Sequence, residues 1–514
     1  MVSGEWSVVS VHVPKVSLSK SRIRIFSLTT DHRPRTTMLN CRAMPPPSWV
    51  QDAIFYQIFP DRFANGDPSN DPANVQSWGS PPTLSGFQGG DLRGICQRLD
   101  YLNDLGITAI YLNPIFQAGS NHRYNTSDYL QIDDRLGTLQ DFRELVDQAH
   151  DHGIRVVLDG VFNHSGRAFF AFQDLLDGGH RSAYRDWYHI QRFPLDAFGE
   201  GKAENYLAWW GFRGLPKFNT GHPATREYLL KVAKYWMEQG ADGWRLDVPN
   251  EIDDDTFWAE FRQIVKRANP EAYLLGEIWT VDPRWVGPGA FDGLMNYPLR
   301  KTLLEWIVEL GGTPSSFREA VEAQVAAYPA EHVLAQYNLL GSHDTERVAT
   351  LAHGDARKVR LLYALMFALP GAPAIFYGDE IGLTGGKDPD SRRAFEWDSA
   401  RWEGDRHALV RNLIQLRRSR TELRRGTLEF LEANDDTGTI IFARRLGNEM
   451  TLIMANVSQT PAAVRLPAST LGRPLGHELR DGLTGRAHGV GELGLELMLD
   501  SYDCAILSRS VPPP

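Results

Sequence analysis

Eight short apolar runs, spread along the chain and separated by helix-like segments, constrain this sequence more than any other feature. They lie at 53–59, 107–112, 154–158, 243–246, 273–276, 293–297, 334–340 and 374–377. Between them, Leu92, Ile95, Leu99 and Leu102 form one face of a helix predicted over 91–105, stopped by Gly106. Phe142, Leu145, Val146 and Ala149 do the same over 139–150, with Gly153 beyond, and a further helix is predicted over 227–238. Repeated strand and helix signals of this kind imply parallel strands joined by right-handed crossovers. Eight such units predict an α/β fold built on a (β/α)8 barrel.

Four of the runs close on ionisable residues: Asp159 to His164 (DGVFNH), Gly243 to Asp247 (GWRLD), Gly276 to Trp279 (GEIW) and Ser342 to Asp344 (SHD). A carboxylate at the end of a buried strand is costly unless it is paired or used. Four of them, in order, fit the C-terminal rim of a barrel, where active sites sit.

The rhythm breaks at two places. From Ser165 to about Leu215 it gives way to a stretch dense in aromatics (Phe169, Phe170, Tyr184, Trp187, Tyr188, Trp209, Trp210), and loops of that length inside a domain are usually functional. After about Arg425 the texture becomes alternating strands and turns, which predicts a C-terminal antiparallel β-sandwich domain. The expected division is therefore an N-terminal extension over 1–48, a barrel over 49–425 with 165–215 inserted after strand 3, and a β domain over 426–514. The extension is basic, with seven Lys/Arg against Glu5 and Asp31, and ends in Pro45-Pro46-Pro47. It lacks the apolar core of a secretory signal. A transit peptide, a disordered arm or an upstream start before Met38 or Met44 all fit, with disorder the expectation.

Composition excludes several classes of function. A net charge of −10 argues against nucleic-acid or anionic-membrane surfaces. Three distant cysteines (Cys41, Cys96, Cys504) give neither a disulfide framework nor zinc spacing. No apolar stretch approaches the ~18 residues of a membrane span. A cytoplasmic location is the default expectation.

From Trp49 to Leu507 the chain resembles the α-amylase family of glycoside hydrolases, and within it the neopullulanase, cyclomaltodextrinase and maltogenic amylase branch. DGVFNH, GWRLDVPNEI, LLGEIW and GSHDTER resemble the family's four catalytic segments, in order. Leu215-Pro216-Lys217-Phe218-Asn219 resembles the branch-specific segment before the fourth strand. Gly378-Asp379-Glu380-Ile381-Gly382 resembles the segment after the eighth.

The resemblance implies a retaining hydrolase of α-1,4-glucosidic bonds in maltodextrins, cyclodextrins and starch-like oligosaccharides, with α-1,6 cleavage and transfer as further activities. Retention requires two carboxyl groups only ~5 Å apart, one attacking and one protonating. By resemblance Asp247 is the nucleophile, Glu277 the acid/base and Asp344 the third carboxylate, which binds sugar hydroxyls. Arg245, two residues before Asp247, points to the same side of a strand and can hold that carboxylate ionised. Glu277, flanked by Leu274, Leu275, Ile278 and Trp279, is expected in an apolar setting that raises its pKa. The resemblance makes His164 and His343 hydrogen-bonding partners of the sugar, Tyr124 a stacking face, and Asp388 and Arg392 the residues that close the non-reducing side. Trp279 joins the substrate contacts. Asp159 and Asn163 are expected to orient Arg245 and the rim. An exposed i,i+4 ion pair is the bland reading of Asp388 and Arg392.

Asn65, Asp67, Asn70 and Asp71, with Gly89 and Asp91, match the branch's calcium site, and oxygen-rich loops suit a structural Ca2+. Read alone, the first four are a turn signal, and Asp91 is an N-cap. The branch usually carries an N-terminal β domain that forms its dimer. Here about 48 residues precede the first strand, so neither that dimer nor its narrowed pocket is expected. A 4-α-glucanotransferase or glucosyl isomerase is the alternative reading. A non-catalytic amylase-like subunit is a third, and it predicts lost carboxylates, which this chain retains.

Overall fold

The computed structural model describes residues 44–471 and 478–509. Most of the N-terminal extension lies outside the described residues. Ten strands in chain order make the first part of the chain: β1 Phe55–Ile58, β2 Ala109–Leu112, β3 Phe116–Ala118, β4 Thr126–Ile132, β5 Arg155–Gly160, β6 Gly243–Leu246, β7 Tyr273–Gly276, β8 Gly293–Leu294, β9 Tyr337–Leu339 and β10 Ala372–Phe376. Eight of them form one parallel sheet in the order β8-β7-β6-β5-β2-β1-β10-β9, and a parallel bridge from Met295 to Tyr337 joins its two ends. The barrel is closed. Gly293 sits at that seam because a side chain would not fit: a Cβ there would lie 2.0 Å from the Ala335 carbonyl oxygen.

The period-2 alternation of each strand sorts residues between two cores. Phe55, Ala109, Tyr111, Val157, Tyr273, Leu275, Met295, Tyr337 and Ala374 pack inside the barrel. Ile54, Tyr56, Ile110, Val156, Leu158, Trp244, Leu246 and Leu274 point outward to the helices. Toward the C-terminal rim the inward positions turn polar, through Gln57, Asp159 and Arg245, all 1 % exposed or less. The strand ends thus aim their charges into one chamber.

The predicted helix over 91–105 is two helices, Leu92–Cys96 and Leu99–Leu105, turning at Gln97 and Arg98. Leu92, Ile95, Leu99 and Leu102 all stay buried across the break. The antiparallel pair β3 and β4, after the second barrel strand, is an element the sequence reading did not anticipate. The 165–215 insertion carries one α-helix, Phe170–Gly178, and several single-turn helices.

The C-terminal part is a sandwich. Strands β11 Thr427–Asn434, β12 Thr439–Leu446, β13 Glu449–Asn456, β14 Ala462–Pro467, β15 Glu478–Asp481, β16 Ala487–Gly489, β17 Gly494–Leu499 and β18 Asp503–Ser508 form sheets β11-β12-β13-β18-β15-β16 and β14-β17. Ile441, Leu452, Val464, Leu466, Leu497 and Leu507 share the core between them. No helix among the described residues is long and apolar enough to cross a membrane.

Candidate active site

Arg245 is the hub of the chamber. It sits on β6 with no exposed surface, and its register partner on β5 is Asp159. Its Nη1 donates to Asp159 Oδ1 at 2.9 Å and to Asp247 Oδ1 at 3.1 Å, while Nη2 lies 2.9 Å from Glu277 Oε2. One planar guanidinium therefore bridges three carboxylates, which the fork geometry of arginine allows and a lysine ammonium would not.

Asp247 and Glu277 extend from adjacent strands just past their last ladder residues. Val248, after Asp247, adopts φ +36°, a conformation costly for a β-branched residue. That backbone turn aims the Val248 N–H at Glu277 Oε2, 3.0 Å away. Glu277 Oε1 accepts from Trp279 Nε1 at 3.3 Å. The expectation of an apolar setting for Glu277 is thus overturned. A cation and a backbone donor hold its carboxylate, because Arg245 reaches it from the next strand while Leu274 and Ile278 pack away from it in the outer core.

Burial, then the charge of Glu277, raises the Asp247 pKa well above the carboxylate range, with Arg245 opposing. Burial and Glu277 also lift Asp344, to about 7, against the pull of Arg392 and Arg245. Asp344 has 33 % of its side chain open to the cleft, so water moderates the lift. Asp247 and Asp344, both raised and both acted on by the charge of Glu277, therefore titrate as interacting groups rather than independently.

The two histidines are neutral. Burial, then Arg392, holds His343 well below its usual pKa, and burial lowers His164 to about 4. Gln57 Nε2 donates to His343 Nδ1 at 2.9 Å, which places the ring proton on Nε2, 2.6 Å from the Tyr124 hydroxyl and 3.1 Å from Asp344 Oδ2. Tyr124 in turn donates to Asp159 Oδ2 at 2.8 Å, and its ring lies parallel to His343, centroids 5.4 Å apart. His164 stacks on Trp209 at 5.5 Å, and its Nδ1 faces Asn163 Nδ2 at 3.2 Å. Asn163 therefore orients His164, not Arg245. Asp159 does engage Arg245, as expected.

Arg392 is buried rather than displayed on the surface: Nε donates to the His343 carbonyl at 2.9 Å, Nη1 lies 3.1 Å from Asp388 and Nη2 3.5 Å from Asp344. Asp388 itself is exposed, so the reading of the two as a surface i,i+4 pair holds for the carboxylate and fails for the buried guanidinium. Trp279 stacks on buried Tyr297 with centroids 3.6 Å apart, and the residue stays 49 % exposed, so that its outer face is left as a platform. Gln57, Asn113, Tyr111 and Tyr297 belong to the same chamber and escaped the sequence reading. Gln57 carried a usable signal, a lone amide two residues beyond inward-facing Phe55.

The predicted metal residues also converge. Asp91 accepts from the N–H groups of Gly66, Asp67 and Gly94, and Asn70 Nδ2 lies 3.4 Å from it. Asn65 donates to Asp71 at 3.0 Å. Gly89 is pressed against both, since a Cβ there would lie 2.2 Å from Asp71 Oδ1. The Asp67 carboxylate instead engages Ser69 and Arg93, at 2.7 Å from the latter.

Residues 57–419 match the model of the alpha amylase catalytic domain, and the chain belongs to that family of glycoside hydrolases. Among its relatives, a cyclomaltodextrinase of Geobacillus thermopakistaniensis is 46 % identical over 429 residues, 83 % of this chain and 72 % of that one. Neopullulanase 2 of Thermoactinomyces vulgaris is 39 % identical over 497 residues, 96 % and 82 % of the two chains. A solved structure of the cyclic α-maltosyl-(1→6)-maltose hydrolase of Arthrobacter globiformis, in complex with that sugar, superposes with a TM-score of 0.82 at 38 % identity, over 90 % of this chain and all of the other.

Proposed function

We propose that this enzyme hydrolyses α-1,4-glucosidic bonds of short soluble α-glucans, linear or cyclic, with retention of configuration, and that α-1,6 bonds are also within its reach. The observation that carries the reading is the bridging of Asp247 and Glu277 by one buried arginine, with Asp344 across the cleft. A shared guanidinium keeps the two carboxyl groups close, as a covalent mechanism needs. The names of the relatives supply the substrate class.

In this reading the attack needs Asp247 ionised, which its pairing with Arg245 favours against its burial, and the proton carried on Glu277. Asp247 attacks the anomeric carbon as Glu277 passes that proton to the departing glycosidic oxygen. The glucosyl–Asp247 ester is then cut by water, whose proton returns to Glu277. Asp344, His343 and His164 hold ring hydroxyls as neutral or acceptor groups, Tyr124 faces the sugar, and Arg392 with Asp388 closes one end. Trp279 carries the next sugar unit.

The Asn65, Asp67, Asn70, Asp71, Gly89 and Asp91 loop fits a structural Ca2+. Asn65 Oδ1 and Asn70 Oδ1 are buried oxygens without a hydrogen-bond donor, and the carboxylates of Asp71 and Asp91 face the same loop. Asp67 could contribute only its main chain, its side chain being engaged by Arg93. The ion would tie the loop after β1 to the start of the following helix; no catalytic step passes through it.

A timed product profile on maltotriose, β-cyclodextrin and pullulan, with the anomer of the first product read by NMR, tests the reading. Initial α-anomers with cleavage of at least one of these are expected. Initial β-anomers, or no cleavage of any, overturn it.

A further inference from the structure

A second cavity, about 330 Å3, opens beside the Asn65–Asp71 loop and shares no residue with the catalytic chamber. That volume is at the lower end of the range for small-molecule sites. Trp78 and Trp397 line it together with Gln76, Gln97 and Arg98. Trp397 is anchored from behind: its Nε1 donates to the Phe63 carbonyl at 2.7 Å, and it packs on Phe63 at 5.2 Å, Tyr101 at 5.4 Å and Phe395 at 4.2 Å. The Arg98 guanidinium lies over its ring at 3.9 Å. The turn between the two short helices of 92–105, the break that the sequence reading missed, is what brings Gln97 and Arg98 to this wall.

Trp78 is pinned by its indole N–H to the Phe395 carbonyl at 3.0 Å, yet 36 % of it stays exposed, and among the described residues it stacks on no aromatic ring. Gln76 Oε1 is buried without a donor. The cavity therefore combines one open indole face, that of Trp78, with amide groups and a guanidinium that Trp397 holds in place by stacking. It is too polar for a lipid or apolar ligand. A polyhydroxylated ring offers a CH face to the Trp78 indole and hydroxyls to the amides and the Arg98 guanidinium.

We propose that this cavity is a second α-glucan-binding site, holding a chain end or branch of a substrate whose other part lies in the cleft. The proposal rests on the α-glucan reading above. The segment after β10 serves both places. Arg392 on it reaches Asp344, and Trp397, five residues on, lines the cavity. Between them, Arg62 donates to the Arg392 carbonyl at 3.1 Å and accepts from the Phe395 N–H at 2.7 Å. A polymer held there raises the local concentration of cleavable bonds, while a trisaccharide gains nothing.

The test is a calorimetric titration of Asp247→Asn protein with maltoheptaose, repeated with Trp78→Ala and, separately, Arg98→Ala added. Two equivalents are expected in the first, and the second equivalent should weaken by up to about tenfold in the others, the scale of one lost aromatic or cation–π contact. In the active background, Trp78→Ala should leave kcat/KM on maltotriose unchanged and lower it on long maltodextrins. A single equivalent in Asp247→Asn overturns the inference and leaves the main reading standing. So does a second equivalent that neither variant weakens. No binding at all overturns both.

Discussion

Arg245 and Glu277 form an ion pair at 2.9 Å across adjacent barrel strands, and the same guanidinium holds Asp247 at 3.1 Å. The proton donor and the nucleophile are therefore positioned, and electrostatically coupled, through one side chain. Moving charge from one carboxylate to the other during turnover leaves the arginine's total contact nearly constant. That explains why a cation sits where the local sequence suggested an apolar pocket.

Arg245→Lys replaces the fork by a single ammonium that cannot span both carboxylates. A loss of kcat of about 10²–10³ is expected, the scale seen when one preorganised donor is removed. Arg245→Ala strands Asp159, Asp247 and Glu277 and should cost about 3–5 kcal/mol of stability, as breaking buried pairs does. Steady-state kinetics and thermal unfolding separate the two effects. Unchanged kcat in the lysine variant would contradict the bridging role.

Glu380 offers a pH test remote from the cleft. Its Oε1 accepts from the hydroxyls of Tyr56 and Tyr101 at 2.7 Å each, with no surface exposed, and burial raises its pKa to about 7. A carboxyl whose folded pKa is raised binds more protons folded than unfolded, so stability falls as pH climbs from the unfolded value through about 7. The shift corresponds to about 3–4 kcal/mol at most. Glu380→Gln keeps an acceptor for the tyrosines without the charge. Its melting temperature should match wild type below about pH 4, the unfolded range for Glu, and exceed it at pH 8. Parallel pH–Tm curves for the two proteins would refute this.

Calcium should matter for stability alone. A chelator is expected to lower the melting temperature of protein prepared with calcium, and Asn65→Ala should abolish that difference. Equal melting temperatures with and without chelator in the metal-replete wild type would remove the ion from the account.

Sequence pattern revealed the barrel because eight apolar runs alternate with helix signals and four of them close on charges that a simple core would not tolerate, as at Asp159, Arg245, Asp247 and Asp344. All eight predicted strands appear, with β8 and β9 the most shortened, to Gly293–Leu294 and Tyr337–Leu339. What local sequence concealed was cross-strand contact. Glu277 looked apolar because Leu274 and Ile278 precede and follow it, yet its partner Arg245 is over thirty residues away. Asn163 looked tied to Arg245 by proximity to Asp159, but its side chain ends beside His164. The break at Gln97 and Arg98 was invisible because the buried face of Ile95 and Leu99 continues across it. The β3–β4 pair left no clear period-2 signal, because β3 spans only Phe116–Ala118 and its register with β4 is irregular.

The central claim is that Asp247 becomes covalently linked to the sugar while Glu277 only moves protons. Glu277→Gln protein mixed with an α-glucosyl fluoride should form that link, since fluoride leaves without acid help, and then fail to hydrolyse it. Peptide mass spectrometry of the quenched mixture should find one added glucosyl group on the peptide containing Asp247, and none when Asp247→Asn is added. A label on Asp344 or another carboxylate, or a protein that turns over the fluoride without ever carrying a label, would contradict it.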